Sequence, residues 1–410
     1  MLFFARNICF FVVVVFLFPH LAEAIGNIKL GRVSIHPGLG VKSRYNSNLF
    51  LQADDSFADG TSEGRSEDFS WLNIPFLNIT KDRERGELFG FTVNYVGSDE
   101  HFFELTDQDY FEHDLKGSFE FSGPGNRTQL LVTGRLFDTL QQTSNEFATN
   151  FNPRAQRLNT QAGAELVHSL TPLSKLSFYT AINSNRFDDI SFQGEDRNNY
   201  SIGGSFFWKF LKLTAMGLKY DFQTIDYASS FTINEDSETH STAFALRWDA
   251  TALISGEASV GYSNRRFKKS GLTQGTVQYQ LDLEYKLTER SIFKLLGQRN
   301  VLDSTFSNVD AFVVTSVNLD WSKEWNSKVE TNLGVGYQNR DFGEVAADIS
   351  GGGELKKRND DQITLGANLT YKIQEWLQAS ADYKLNNTTS NFKDTEFDLN
   401  IASLALTVIF

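Results

Sequence analysis

Five histidines lie beyond the first 24 residues, His36, His101, His113, His168 and His240, and histidine is the side chain best suited to proton transfer near neutral pH. None stands in an H-x-x-x-H or G-x-S-x-G context, so the sequence spells neither a helix-borne zinc site nor a nucleophile elbow. Only His113, between Glu112 and Asp114, has close acidic company. In an extended chain adjacent side chains point to opposite faces, so that trio does not converge. The acidic set Glu104, Asp107, Asp109, Glu112 and Asp114 offers oxygens to a hard cation such as Ca²⁺. It lacks the spaced ligand loop with its glycine and terminal glutamate, and reads as a solvated rim. The "GGGE" at residues 351–354 has neither a Lys-Ser/Thr pair nor a following helix, so it is no phosphate cradle. The sequons at Asn78 and Asn126 carry little meaning in a bacterial envelope. The expectation is a protein without catalytic chemistry, metal or cofactor.

A different set of polar residues is better placed to do something. In "GTVQYQLDLEYKL", Val277, Tyr279, Leu281, Leu283, Tyr285 and Leu287 alternate with Gln278, Gln280, Asp282, Glu284 and Lys286. In "DQITLGANLTYKI" the apolar set is Ile363, Leu365, Ala367, Leu369, Tyr371 and Ile373. "EWLQASADYKL" and "KVETNLGVGYQNR" repeat the pattern, with Asp382 and Lys384, and with Lys328, Glu330 and Arg340, on the polar parity. A period of two marks strands with one apolar and one polar face. Glu87 to Gly97, Tyr110 to Phe121, Asn199 to Lys209, Leu213 to Phe222 and Ser241 to Asp249 behave alike, whereas Phe69 to Thr80, Arg127 to Phe137 and Ser291 to Val301 carry apolar residues on both parities.

What separates these segments is of two alternating kinds. Short breaks fall at "KDRERG", "GPGN", "LTPL", "FLK", "LISG", "LTER", "EWNS" and "QEW". Long polar connections fall at Tyr45 to Glu67, Gly97 to Asp107, Thr139 to Arg157, Phe187 to Asp196, Ile225 to Glu238 and Asp341 to Asn359, with briefer ones near Ser270, Ser307 and Thr389. About eighteen strands result, joined by tight turns at one end and loops at the other. The fold class this predicts is all-β: a transmembrane antiparallel up-and-down β-barrel with short periplasmic turns and long extracellular loops. A soluble sandwich or propeller does not need that systematic asymmetry.

The ends of the chain supply the compartment. "MLFFARNICFFVVVVFLFPHLAEA" has one early charge, Arg6, an apolar run and the triplet Ala22-Glu23-Ala24, so residues 1–24 read as a secretory signal peptide and residues 25–410 as one barrel domain. The only cysteine, Cys9, lies in that apolar run, which leaves the remainder to hydrogen bonds and burial alone. The net charge is −13 with or without the leader, a poor basis for binding nucleic acid. With 37 Phe, 13 Tyr and 6 Trp in a chain of mean hydropathy −0.31, aromatic and polar residues must be finely interleaved. The chain closes on "ASLALTVIF", where Leu404, Leu406, Val408 and Phe410 share one parity. Phe397, Leu399 and Ile401 sit on the other, which requires either a bulge or an apolar interior patch near the loop end.

Two stretches carry a family resemblance. "IKLGRVSIHPGLGVKSRYNSNLFL" resembles the opening of the family called putative beta-barrel porin 2, which has a "PxLGV" strand end followed by Y-N-N-F/L and an acidic loop. "EWLQASADYKL", the "TSNF" before the last strand, and the final Phe410 resemble its ending. The ending Leu404, Leu406, Val408, Phe410 also resembles the assembly signal that the barrel-assembly machinery reads in Gram-negative outer-membrane barrels. The resemblance implies a bacterial outer-membrane porin-like barrel in contact with outer-membrane lipid, in a family often associated with exopolysaccharide-export components. The function expected is a hydrated conduit for exopolysaccharide export or solute diffusion, lined by Arg247, Asp282, Glu284, Lys286, Lys328, Glu330, Arg340, Asp382 and Lys384. The alternative is a non-conducting structural or adhesive barrel whose extracellular loops recognise a partner.

Overall fold

The computed structural model of the chain describes residues 28–51, 67–83, 87–142, 154–228, 235–248, 253–303, 311–348, 354–392 and 395–410. The leader expected at residues 1–24 and the glycines at 351–353 lie outside the described residues.

Strand β1 (Ile28–Leu30) turns at Gly31 and Arg32 into β2 (Val33–Asn46). Then follow β3 (Asp68–Lys81), β4 (Phe89–Phe102), β5 (Tyr110–Ser122), β6 (Thr128–Gln142), β7 (Arg154–Thr171), β8 (Ser174–Phe187) and β9 (Arg197–Leu211). The second half comprises β10 (Thr214–Tyr227), β11 (Ser237–Trp248), β12 (Ile254–Phe267), β13 (Thr273–Thr288), β14 (Ser291–Asp303), β15 (Ala311–Glu324), β16 (Val329–Asp348), β17 (Glu354–Gln374), β18 (Leu377–Ser390) and β19 (Phe397–Ile409). From β2 onward every strand pairs antiparallel with its chain neighbours, and β19 closes on β2 from Ile401↔Asn46 to Ile409↔Gly38. The protein is a closed eighteen-stranded up-and-down barrel, as its alternation predicts, and closure leaves no open edge. The Phe410 N–H donates to the Pro37 carbonyl at 2.8 Å, and β1 continues along the same edge of β2 through Leu30↔Val33. A circular ring of eighteen strands 4.8 Å apart and tilted near 40° spans about 36 Å between backbones, too wide for wall side chains alone to fill.

The eight short breaks of the sequence coincide with the eight connections at one end of the barrel. At the other end three long connections are shorter than the sequence suggests. Strand β4 runs on to Phe102, and the β6–β7 and β16–β17 hairpins continue to Gln142, Arg154, Asp348 and Glu354. The ladder outlasts the alternation because a hairpin with polar surroundings on both faces needs no apolar parity. A register shift between Asp341 and Val345 marks where the projecting part of the β16–β17 hairpin begins.

One parity of each strand faces outward and is apolar. On β17 it runs from Tyr371 to Ile363 and then to Asp361, ten residue steps that rise about 25 Å at the usual tilt, the height of a hydrocarbon band. Aromatic rings gather at its two edges. Near the short turns Tyr285, Phe293 and Trp321 stack across β13, β14 and β15 at centroid separations of 6.4 and 6.1 Å. Near the long loops, outward tyrosines give their hydroxyls to neighbouring strands: Tyr337 to Asp361 at 2.6 Å and Tyr383 to Asn400 at 2.8 Å. An apolar band rimmed by rings with polar tips is a membrane surface. Among the described residues no helix is long and apolar enough to cross a bilayer.

Strand β3 shows why some segments lacked a clear parity. Leu72, Ile74 and Phe76 face inward with Ser70 and Asn78, and the Phe76 ring fills the space beside Gly38, where a β-carbon would overlap it. The interior is apolar there because the chain packs against itself inside the barrel. The same cause accounts for Phe397, Leu399 and Ile401. No bulge interrupts β19. Residues Ser47 to Leu51 turn into the barrel, and Leu51 packs on Phe397 and Leu399. Leu49 and Phe50 pack on Phe102, and Asn48 to Leu51 are no more than 6% exposed. At the same end Phe392, just after β18, packs on Phe312, Val314 and Phe342. The long-loop mouth therefore carries most of the buried core.

Candidate functional site

Register fixes which side chains share the inner wall. Arg44 of β2, Arg154 of β7 and Arg340 of β16 line one cavity of 420 Å³ at the long-loop mouth. Strands β7 and β16 stand nine places apart on a ring of eighteen, so their side chains can share a space only across the interior. The mouth is narrow because Leu49 and Leu51 project into it from the inturned segment.

The cavity's polar side is held in place by neighbouring strands. Arg44 donates to both Glu100 oxygens at 2.9 and 3.1 Å, and Ser70, on the strand between them, donates to Glu100 at 2.6 Å. Glu112 accepts from the Thr139 hydroxyl. Arg154 donates to the carbonyls of Gln108 and Leu140 at 3.4 and 3.2 Å, and its guanidinium lies over the Phe102 ring. Behind the mouth, Arg358 and Asp360 form an ion pair at 2.6 Å with both side chains 1% exposed, over the Phe342 ring. Such a pair fastens the wall to the inturned loops and is closed to solutes.

Below the mouth the wall bounds two wider spaces. One, of 570 Å³, is lined by Ser177, Ser205, Gln223, Ser241, Gln278 and Gln298 together with an ion cluster. In that cluster Glu257 takes Lys219 on one carboxylate oxygen and Arg247 on the other, the latter at 2.6 Å. The other space, of 750 Å³, is lined by Lys42, Asn318, Asp320, Asn332, Asn368 and Asp382. There Asp382 accepts from Asn368 at 2.7 Å and lies 3.6 Å from Lys42. Neutral amides and hydroxyls between paired charges make a wall that hydrogen-bonds water and hydroxylated solutes without gripping either ion sign strongly.

Residues 125–410, more than half of the chain, match the family described as Putative beta-barrel porin 2. The chain belongs to that family. Of the two stretches that carried the resemblance, the ending lies within the match and the opening lies before it. No curated protein matches the chain in sequence. Solved structures similar to this porin-like barrel include OpdQ of Pseudomonas aeruginosa, at 11% identity and TM-score 0.45 over 92% of this chain and 97% of that one. Pseudomonas aeruginosa OpdL, at 12% identity and TM-score 0.45, is covered to 99% by 93% of this chain. The FrpB iron transporter of Neisseria meningitidis (F3-3 variant), at 8% identity and TM-score 0.43, is covered to 81% by 92% of this chain.

In this porin-family barrel the residues singled out by alternation are distributed as follows. Arg247 and Asp282 flank Glu257 in one cross-strand row. Glu284 takes Lys286 at 3.2 Å and Lys294 at 3.5 Å. Glu330 accepts from Asn332 at 3.2 Å, and Asp382, Lys384 and Arg340 stand on the wall between β16 and β18. Lys328 does not share that wall. It lies in the turn before β16, where its N–H donates to Asn326 and its carbonyl accepts from Lys372. The parity argument fails for it because the strand starts one residue later. Of the terminal set, Leu404 is 67% exposed and Val408 only 2%, so the outward row is covered towards its end.

The acidic set does not act as one rim. Glu112 and Asp114 belong to the inner wall, where Arg135 reaches Asp114 at 2.8 and 3.0 Å, whereas Asp109 bonds His101 at 2.9 Å and the Phe102 N–H at 2.7 Å outside it. Among the described residues no group of three or more His, Cys, Asp or Glu is arranged to hold a metal ion. His113 faces outward beside Phe111 and Tyr95, away from Glu112 and Asp114. Sequence reasoning missed Lys42, Arg44, Glu100, Arg154, Lys219 and Glu257. Lys42, Arg44, Glu100, Lys219 and Glu257 stand on the polar parity of their strands, so their signal was present, whereas Arg154 stands on the apolar parity of β7, with Leu158 and Leu166, and reaches the mouth from the end of its hairpin. Which strands lie across from one another is set by closure and loop folding.

Proposed function

We propose that the protein is a bacterial outer-membrane conduit for hydrophilic, hydroxylated solutes, with the short turns in the periplasm and the long loops outside. The observation that carries this reading is the contrast between the two parities: an apolar outer band, and an inner wall of amides, hydroxyls and paired charges bounding two spaces of 570 and 750 Å³. No cofactor and no covalent step enters. Solutes exchange water for wall hydrogen bonds and meet their narrowest passage where Leu49 and Leu51 enter the mouth. The family resemblance adds exopolysaccharide export as the physiological traffic and export components as partners. Assembly is read by the barrel machinery from Leu404, Leu406, Val408 and Phe410, and outer-membrane lipid surrounds the band.

A second reading, a barrel closed by its own chain and used for partner recognition, draws on the burial of Asn48 to Leu51 in the mouth. Recording from single barrels in a planar bilayer in KCl separates the two. Ohmic steps of uniform size support the conduit; a folded, inserted barrel that passes no current rules it out.

A further inference from the structure

The mouth cavity has three chemically distinct sides. Four cationic side chains, Arg44, Arg154, Arg340 and Lys384, face two carboxylates, Glu100 and Glu112, so the cavity is net positive within a chain of net charge −13. Glu100 is already engaged by Arg44, and the groups Arg154 meets at 3.4 and 3.2 Å are neutral carbonyls that leave its charge standing. Lys384 is exposed on the wall and has no ion-pair partner among the described residues. The third side is an apolar shelf of Leu51, Phe397 and Leu399.

Simple anions need only the cations. An apolar solute needs only the shelf. The three sides together suit one kind of molecule: a carboxylate for Lys384 and the arginines, hydroxyl donors for Glu100 and Glu112, and a ring of C–H groups for the shelf. A volume of 420 Å³ lies at the lower end of small-ligand sites and holds one or two sugar units. We infer that the mouth cavity is a binding site for uronic-acid sugars, free or as units of an acidic polysaccharide. This deepens the conduit reading and rests on it, since a site in the mouth selects solutes only if solutes pass.

Titration calorimetry on the full chain in detergent, with D-glucuronate, D-glucose and sulfate as probes, tests the site without requiring passage. The expected result is saturable binding of glucuronate at least tenfold tighter than that of glucose or sulfate. Lys384→Glu weakens glucuronate at least tenfold, and Leu399→Asn weakens glucuronate while leaving sulfate unchanged. Should Lys384→Glu lose the heat-modifiable migration of a folded barrel, Lys384→Gln, which removes the charge without reversing it, decides. Equal binding of glucose and glucuronate, no saturable glucuronate binding, or indifference to the loss of Lys384 overturns the site. KCl conductance of the same preparation separates the two readings. Ohmic steps without glucuronate binding remove the site and keep the conduit, and saturable binding by a silent barrel removes the conduit and keeps the site.

Discussion

Arg44 on β2 reaches across β3 to hold Glu100 on β4 with two hydrogen bonds of 2.9 and 3.1 Å, while Ser70 on the strand between fills one of the same oxygens at 2.6 Å. The acid is the more buried partner, with 10% of its side chain exposed against 30% for the arginine. Removing the arginine leaves the more buried charge unpaired, whereas neutralising the acid leaves unpaired the more exposed one. Arg44→Ala is expected to destabilise the barrel by about 2 kcal/mol and Glu100→Gln by less, since an unpaired buried charge costs more than a lost bond. Urea titration of the barrel folded into vesicles measures both, and a larger loss for Glu100→Gln would contradict this account.

Adjacent residues on β17 test the two-faced wall directly. Leu365 lies on the outward parity and Thr364 on the inward one. Leu365→Lys should cost about 2–4 kcal/mol near the middle of the band, while Thr364→Lys should leave stability nearly unchanged and move the reversal potential towards anion selectivity. The same vesicle titration and a KCl gradient across a bilayer read the two effects, and equal stability losses would mean that the faces are misassigned.

The ion cluster on β10, β11 and β12 gives a selectivity prediction with a fixed sign. Glu257 of β12 holds Lys219 of β10 and Arg247 of β11 on its two oxygens, and Ala245, fully buried on β11, leaves room for the lysine to cross. Glu257→Gln leaves two cations unbalanced on the wall, so the channel should become more anion-selective. An unchanged reversal potential would place this cluster off the solute's path.

Much of this was legible in the chain because a barrel wall is written locally. Alternation located the strands, and each of the eight tight turns met a sequence break. Counting failed where the environment changes. Above the band both faces of a hairpin are polar, so β16 and β17 continued unseen to Asp348 and Glu354. On β3 the inward face is itself apolar at Leu72, Ile74 and Phe76, so both parities carried apolar residues and the strand was blurred. The mouth site joins residues up to half the ring apart, and no local pattern states that Arg154 will share a cavity with Arg340. That relation depends on closure and on the inward turn of Ser47 to Leu51, both of which are long-range events.

The inturned segment itself makes the last prediction. Leu49 packs on Phe50 and Phe102, and Leu51 packs on Phe397 and Leu399; Leu51 also holds a backbone φ of +51°, a conformation that costs a non-glycine residue energy unless packing maintains it. Two effects therefore oppose each other at Leu51. Leu51→Gly relieves the backbone by about 1 kcal/mol but removes a buried side chain worth about 3 kcal/mol, so packing wins and the segment loosens. Leu49→Ser lacks the backbone relief and should loosen it further. Both variants should raise unit conductance in KCl, the double variant most, with the heat-modifiable band retained because the strand ladder is untouched. Unchanged conductance in the folded double variant would show that Ser47 to Leu51 do not set the width of the passage.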